Sequence, residues 1–166
     1  MRVLVVYGSK RGGTEGLAQA LGEDLAHAGF DVTVADAATR PDPAPYDAVV
    51  VGGALYAMRW TRSARRFVKQ NTKVLLAKPV WMFSSGPLDD SAREKSIEPA
   101  KQVARLMARV SARGHATFGG RLAPDAKGFP ASAMAKKNAG DWRNWDGVRD
   151  FAQTVAGALS KSAPTA

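Results

Sequence analysis

The chain opens on five consecutive apolar residues, Val3-Leu4-Val5-Val6-Tyr7, the run expected of a strand covered on both faces. A glycine-rich stretch from Gly8 to Gly13 follows. Beyond it Leu17, Leu21, Leu25 and Ala28 recur at helical spacing, and Gly29 stands where a left-handed C-terminal cap belongs. Residues 31–36 are predicted as a second strand. Pro41, Pro43 and Pro45 then break any helix before residues 48–53, the most apolar strand in the chain. A basic helix is predicted over roughly 61–76 and a fourth strand over 79–84. Pro99 suits the first turn of a helix whose stripe is Val103, Leu106, Met107 and Val110. Arg113-Gly114 closes that helix, and residues 116–118 form a short fifth strand. From Gly119 to Arg143 the periodicity lapses into Gly, Pro, Ala and Lys. A last helix, capped by Asn144, buries Val148, Phe151, Ala152, Val155 and Leu159.

Five strands alternating with helices imply βαβ units and a parallel sheet. Right-handed crossovers narrow the topology to an α/β doubly wound sandwich. The expectation is a five-stranded parallel sheet of order 2-1-3-4-5 with helices on both faces. It forms one domain over residues 1–161, followed by a disordered tail at 162–166. No internal repeat or interdomain linker interrupts it.

Composition narrows the function classes. With 166 residues, 45% hydrophobic and 23% charged, the chain matches a globular domain and argues against disorder. The absence of cysteine excludes disulfides, thiolate metal sites, iron–sulfur clusters and a cysteine nucleophile. His27 and His115 have no nearby carboxylate or Ser-Asp arrangement, so structural roles are expected for both. The longest apolar stretch, 48–58, is far below the ~18 residues of a membrane-spanning helix. A strand beginning at Val3 leaves no room for a signal peptide. A soluble, cytoplasmic protein is expected.

The charge balance is less ordinary. Twenty-four Lys and Arg against fifteen Asp and Glu give +9, a field that favours an anionic ligand, lipid surface, acidic protein or nucleic acid. Arg59, Arg62, Arg65, Arg66, Lys69, Lys73 and Lys78 fall within twenty residues that hold no acid. Arg62, Arg66, Lys69 and Lys73 share one helical stripe, as do Lys101, Arg105 and Arg109 on the next helix. A solvated face explains such a run as well as a docking face does. Nucleic acid is disfavoured, because no recognised binding module accompanies the charge.

The most specific chemical signal is Gly8-Ser9-Lys10-Arg11-Gly12-Gly13-Thr14-Glu15 between the first strand and the first helix. In an open α/β sheet this position presents free helix N–H groups to an anion. Glycines permit close backbone approach, and Ser9 and Thr14 supply hydroxyls. The competing reading is a tight turn with a solvated basic tip. A Walker loop is excluded, since Thr14-Glu15 rather than Lys-Ser/Thr follows Gly13. The dinucleotide fingerprint is absent too, and Asp36 reads better as a turn residue preceding a helix than as a ribose ligand.

The loop resembles the FMN-phosphate loop of the flavodoxin family, S/T-x-T-G-x-T, as Ser9-Lys10-Arg11-Gly12-Gly13-Thr14 with Arg11 in place of the middle threonine. Length, strand order and loop positions extend the resemblance over nearly the whole chain. More narrowly, the chain looks like the branch that includes the menaquinone-dependent protoporphyrinogen dehydrogenases. The matching features are Arg11, Val51-Gly52-Gly53-Ala54-Leu55-Tyr56 followed by Ser63 and Phe67-Val68-Lys69, and Asn144-Trp145 leading to Phe151-Ala152. It departs from that branch at Met58, where a glycine is frequent, and in a basic insertion abbreviated to residues 122–141.

The resemblance implies FMN held by Ser9, Lys10, Arg11, Gly12, Gly13 and Thr14. Loops after the third strand (Ala54, Leu55, Tyr56, Ala57, Trp60) and the fourth (Ser84, Ser85, Gly86, Leu88) would meet the same sheet edge. Tyr56 and Trp60 are candidate walls for a flavin ring, with Leu88 as a further neighbour, although either aromatic could instead cover a helix. The cofactor itself would carry the redox chemistry, so no catalytic side chain is expected. The implied partners are a quinone and porphyrin substrate or a redox protein, with anionic membrane contact through the basic face. Two alternatives remain: a deazaflavin coenzyme in the same loop, and a non-enzymatic docking module.

Overall fold

The computed structural model of the chain describes residues 1–10, 12–87, 89–94, 96–122 and 140–162. In chain order its elements begin with β1 (Arg2–Gly8), α1 (Gly13–His27), β2 (Asp31–Asp36) and β3 (Ala48–Tyr56). They continue through β4 (Arg59–Trp60), α2 (Arg62–Gln70), α3 (Thr72–Leu76), β5 (Val80–Ser85) and α4 (Ser91–Glu94). Last come α5 (Lys101–Val110), β6 (Gly114–Phe118), β7 (Arg121–Leu122), β8 (Gly140–Asp141) and α6 (Trp145–Ser162). The main sheet runs β2-β1-β3-β5-β6, all parallel. Counted among themselves, these five strands keep the expected order. The difference is β4, a two-residue strand paired antiparallel to the end of β3, which the sequence pattern did not announce.

Strict alternation divides the core into two layers. Val3, Val5 and Tyr7 of β1 face α1 and α6, together with Val50, Trp81 and Phe83. Leu4, Val6, Val51 and Met82 face α2, α3 and α5. Side chains buried on both faces explain why the central strands read as unbroken apolar runs. Each fully buried Val or Leu contributes about 1.5–3 kcal/mol, so the central strands hold the two layers together. Two aromatic rings use glycines as seats: Phe83 lies over Gly52 and Trp60 over Gly53, where any Cβ would overlap the ring.

Local chemistry explains the other departures. The predicted basic helix is two helices, broken at Asn71. There the Asn71 Nδ2 donates to Phe67 O at 2.8 Å, and the Thr72 hydroxyl donates to Val68 O at 3.0 Å, side-chain bonds that compete with the helical ladder. Asp36 caps a short 3-10 turn, accepting from Ala38 N–H at 2.9 Å, as its turn reading anticipated. Asn144 precedes α6, but its Oδ1 accepts from Gly119 N–H at 3.1 Å and so ties the helix start to the end of β6. The last helix reaches Ser162; residues 163–166 of the predicted tail lie outside the described residues. Among the described residues no helix is long and apolar enough to cross a membrane.

Candidate functional site

The C-terminal ends of β1, β3 and β5 converge on one edge of the sheet, where a doubly wound fold presents its ligand-binding crevice. From β1 the chain enters the glycine-rich loop. Ser9 Oγ accepts the Gly12 N–H at 3.0 Å and folds the loop back on itself. Gly12 then takes φ +81, with no heavy atom within 4 Å of where a Cβ would stand. Its glycine is required by torsion, and the space beside it is open. Gly13 begins α1, and among the described residues no side-chain hydrogen bond caps this helix. The first turn therefore offers N–H groups and the positive end of the helix dipole to an anion. Arg11 lies outside the described residues.

Thr14 is buried, and its Oγ1 lies 3.0 Å from Ser85 Oγ. One hydroxyl of the pair donates to the other, which staples the start of α1 to the end of β5. Tyr7, at the end of β1, hydrogen-bonds Glu15 in the first turn. Burial and the neighbouring Glu15 carboxylate push the Tyr7 phenol up to about 12. These two contacts fix the helix start against the sheet edge. The Tyr7–Glu15 bond carries no local sequence signal, because its partners meet only once the strand-to-helix turn has formed.

The expected loop at 54–60 is instead the end of β3 and a tight hairpin. Leu55 and Tyr56 pair with Trp60 and Arg59, leaving a two-residue turn of Ala57 (φ 49) and Met58 (φ 62). Both hold the left-handed conformation that such hairpins favour and that glycine or asparagine normally supplies. Met58 is 68% exposed at the tip. Tyr56 is half-buried, and the Lys10 ammonium sits 5.4 Å from its ring centroid.

Trp60 is not a wall of the crevice. It is 2% exposed, and its indole N–H donates to Ser84 Oγ at 2.9 Å. Ser84 Oγ also lies 2.9 Å from His115 Nε2. Burial pushes His115 down to about 4, so its ring is neutral near pH 7, and Ser84 Oγ links that ring to the Trp60 indole, from which it accepts. Ser84 thus serves the core, whereas Ser85, on the opposite face of β5, serves the loop. Gly86 N–H donates to Phe118 O at 3.2 Å, and Gly120 N–H donates to Pro87 O at 2.8 Å. Leu88 lies outside the described residues. The structure therefore gathers Ser9, Lys10, Gly12, Gly13, Thr14, Tyr56, Ala57, Ser85 and Gly86 along one edge. Ala54 is buried behind them, and Leu55 is half-buried against Gly86.

The hairpin of β7 and β8 closes one side of this edge, and the sequence pattern did not anticipate it. Arg143 grips Asp141 through Nε and Nη2 at 2.9 and 2.6 Å, which holds the Asp141 carboxyl below the usual range. Its guanidinium lies 4.7 Å from the Trp145 ring centroid.

The Flavodoxin domain model matches residues 4–135, most of the chain, and this protein belongs to the flavodoxin-domain family. No curated protein is a significant match to the sequence. Solved structures agree on the fold. A flavodoxin from the domain Archaea superposes with a TM-score of 0.63 at 16% identity, covering 96% of this chain and 99% of its own. Flavodoxin 2 from Bacillus cereus gives 0.61 at 19% identity, with 96% and 99% covered. Rubredoxin oxygen:oxidoreductase from Desulfovibrio gigas gives 0.64 at 15% identity over 96% of this chain, which spans only 36% of that larger protein. Family membership implies FMN as the cofactor. The edge fits such a group on its own terms: an uncapped helix start beside an open αL glycine suits a phosphate, and a half-buried tyrosine beside it suits a flat ring.

Proposed function

We propose that this protein is an FMN-dependent redox protein that exchanges electrons with a partner through the edge formed by β1, β3 and β5. The observation that carries the reading is the uncapped start of α1 behind Gly12, with open space where a Cβ would stand. Bound FMN supplies the electron- and hydride-transfer chemistry. In this reading the N–H groups at the start of α1 and the Ser9 hydroxyl hold its phosphate. Thr14 and Ser85 fix the loop that presents them, and Tyr56 offers a flat wall to the ring. Arg11 and Leu88, which lie outside the described residues, are proposed members of the same site. The one-domain reading over 1–161 is part of the same proposal.

The test is direct. Purified protein should be yellow and release FMN on denaturation, or a colourless preparation should take up added FMN with quenching of its fluorescence. Protein that does neither sinks the reading, and a deazaflavin that displaces FMN at equal concentration redirects it to that coenzyme.

A finer reading is oxidation of protoporphyrinogen with a quinone as acceptor. It rests on the branch resemblance at Arg11, 51–56 and 144–145, and on a basic helical face suited to an anionic membrane surface or an acidic redox partner. Most other matching residues hold the core together: Phe67 and Val68 are buried on the inner side of α2. Anaerobic turnover of protoporphyrinogen with a menaquinone analogue supports this reading. Flavin-loaded protein without that turnover leaves simple electron transfer as its function.

A further inference from the structure

The exposed positions of α2, α3 and α5 form an electrostatically uniform face. Six of them hold Lys or Arg, and the others are Gln70, Leu76, Ala104 and Ala108. No carboxylate lies on any of the three helices. The charge gathers where α3 meets α5. Arg109 Nε donates to Thr72 Oγ1 at 2.7 Å, and that hydroxyl lies 3.0 Å from both Val68 O and Lys69 O. Thr72 stands between Lys69 and Lys73 in the chain, so a neutral hydroxyl holds Arg109 beside two lysines. Arg105 stands one turn before Arg109 on α5. None of these four cations is in an ion pair among the described residues. Leu76, 53% exposed, ends α3 one turn beyond Lys73.

Like charges held together without a counter-charge cost free energy, and an anionic surface laid over them removes that cost. The make-up of the face selects the surface. Tight protein interfaces centre on large aromatic anchors seated in pockets, and no aromatic residue occupies an exposed position on these three helices. Adsorption to a charged bilayer needs neither pocket nor aromatic. It needs several cations and an apolar side chain beside them, which is what Lys69, Lys73, Arg105, Arg109 and Leu76 supply. The cluster also lies away from the ligand edge. Helix α2 starts at that edge, where Thr61 lies against Gly8, and α3 leads to the opposite end of the sheet, where β5 begins.

We propose that the junction of α3 with α5 docks this protein on an anionic lipid bilayer, with Lys69, Lys73, Arg105 and Arg109 over the headgroups and Leu76 entering the interface. This docking deepens the anionic-surface reading of the basic face given above, on which it rests, and it needs no bound flavin. Contact of this kind is reversible, because a few cations and one apolar side chain fall far short of an inserted helix. It leaves the ligand edge uncovered.

The experiment is co-sedimentation with vesicles of phosphatidylcholine, with and without phosphatidylglycerol. Wild type should sediment only with the mixed vesicles at low salt and come off in about 0.5 M salt. A Lys or Arg beside an anionic leaflet contributes about fivefold to partitioning, so the pair Lys69→Gln and Lys73→Gln should weaken binding about 25-fold. Removing the same charge from exposed α6 positions, by Arg149→Gln with Lys161→Gln, should change it less than about twofold. Leu76→Ser should weaken binding without altering its salt dependence. An unchanged urea midpoint shows that each variant is folded, and the wild-type comparison of the two vesicle types decides even where one is not. Wild type that sediments with neither vesicle, or equally with both, overturns the docking and leaves the FMN reading intact. Equal losses from the two charge pairs assign the binding to net charge and overturn it as well. Unchanged binding of Leu76→Ser, or tighter binding of wild type to random duplex DNA at the same salt, overturns the bilayer as occupant. Vesicle-binding protein that takes up no FMN overturns the FMN reading alone.

Discussion

The two helical layers cover the same sheet but are built to opposite electrostatic plans. Helices α2, α3 and α5 carry eight lysines and arginines and no carboxylate, all on partly or fully exposed positions. Helices α1 and α6 carry five carboxylates against two lysines and arginines. The first layer is made of short helices of nine, five and ten residues. The second is made of long ones of fifteen and eighteen. The long, mildly acidic layer supplies the start of α1 and receives the β7–β8 hairpin, so it builds the ligand edge. The basic layer meets that edge at the entry to α2, where Thr61 lies against Gly8. It leaves its charge unneutralised, with none of the eight cations in an ion pair among the described residues. Among the helices of the two layers, unneutralised positive charge is thus a property of one face, and ligand geometry a property of the other.

The sharpest way to break the comparison is to crowd the basic layer where it meets the sheet. A Cβ on Gly53 would stand 2.5 Å from Trp60 Cγ, with Trp60 locked by Ser84. Gly53→Ala should destabilise by about 3 kcal/mol, near the upper end for overpacking, as measured by urea unfolding. The matched change in the other layer, Gly157→Ala at an exposed position of α6, has open space around it. It should gain roughly 0.5–1 kcal/mol from helix propensity. Equal effects at the two sites would mean that Trp60 repacks and is not held in place by Ser84.

A second prediction separates the layers by pH. On the α2/α5 side the Trp60–Ser84–His115 chain ends in a titratable ring. On the α1 side the Thr14–Ser85 pair does not titrate. His115 sits at about 4 in the fold against about 6.5 in an unfolded chain, so the native state binds fewer protons between those values. Its contribution is complete above pH 6.5 and is lost as pH falls toward 4. Allowing for partial exposure, wild type should lose about 2–3 kcal/mol over that window relative to His115→Asn. Thr14→Val should shift stability without changing its slope. A wild type and His115→Asn with parallel pH curves would show that the fold does not hold the His115 ring neutral.

Much of this architecture was legible because burial on both faces writes itself into the sequence. The runs at Val3–Tyr7 and around Val49 need no partner information to be read as central strands, and the strand–glycine–helix junction marks the sheet edge that binds ligands. What was not legible depends on contacts distant in sequence. Trp60 reads as an exposed aromatic near a crevice until the Ala57–Met58 turn folds it over Gly53. Arg121 and Arg143 lie in a stretch of Gly, Pro, Ala and Lys with no period, and only the hairpin brings them to α1. The break at Asn71 was readable in principle, since an Asn-Thr pair favours side-chain bonds to the preceding turn. The apolar stripe continuing through Leu75 concealed it.

The turn between β3 and the basic layer gives a third test. Ala57 and Met58 both hold positive φ without being glycine, each a strain of order 1–3 kcal/mol when no surrounding contact repays it. Met58 is the more exposed and has little packing to lose. Met58→Gly should therefore stabilise the fold by about 1 kcal/mol, read as a shift in urea midpoint with an unchanged slope. Destabilisation would show that the Met58 side chain packs in solution and is not merely displayed at the tip.

The smallest effect tests the electrostatic difference itself. Lys101, Arg105 and Arg109 stand at i, i+4 and i+8 on α5, so Arg105 faces a like charge one turn away on both sides. Arg109 cannot swing clear freely, because its Nε donates to Thr72 Oγ1 at 2.7 Å. Each like-charge pair at this spacing costs about 0.2–0.5 kcal/mol. Glutamine has nearly the helix propensity of arginine, so Arg105→Gln removes two repulsions and little else. It should stabilise by about 0.5 kcal/mol at low salt. In 0.5 M salt, where screening is effective within a few ångströms, the gain should vanish. Glu23→Gln at an exposed position of α1 removes no like-charge neighbour at that spacing, and should stay within about 0.5 kcal/mol of wild type at either salt. If Arg105→Gln gains nothing at low salt while Glu23→Gln does, the strained charge lies on the acidic layer, and the contrast between the two faces is reversed.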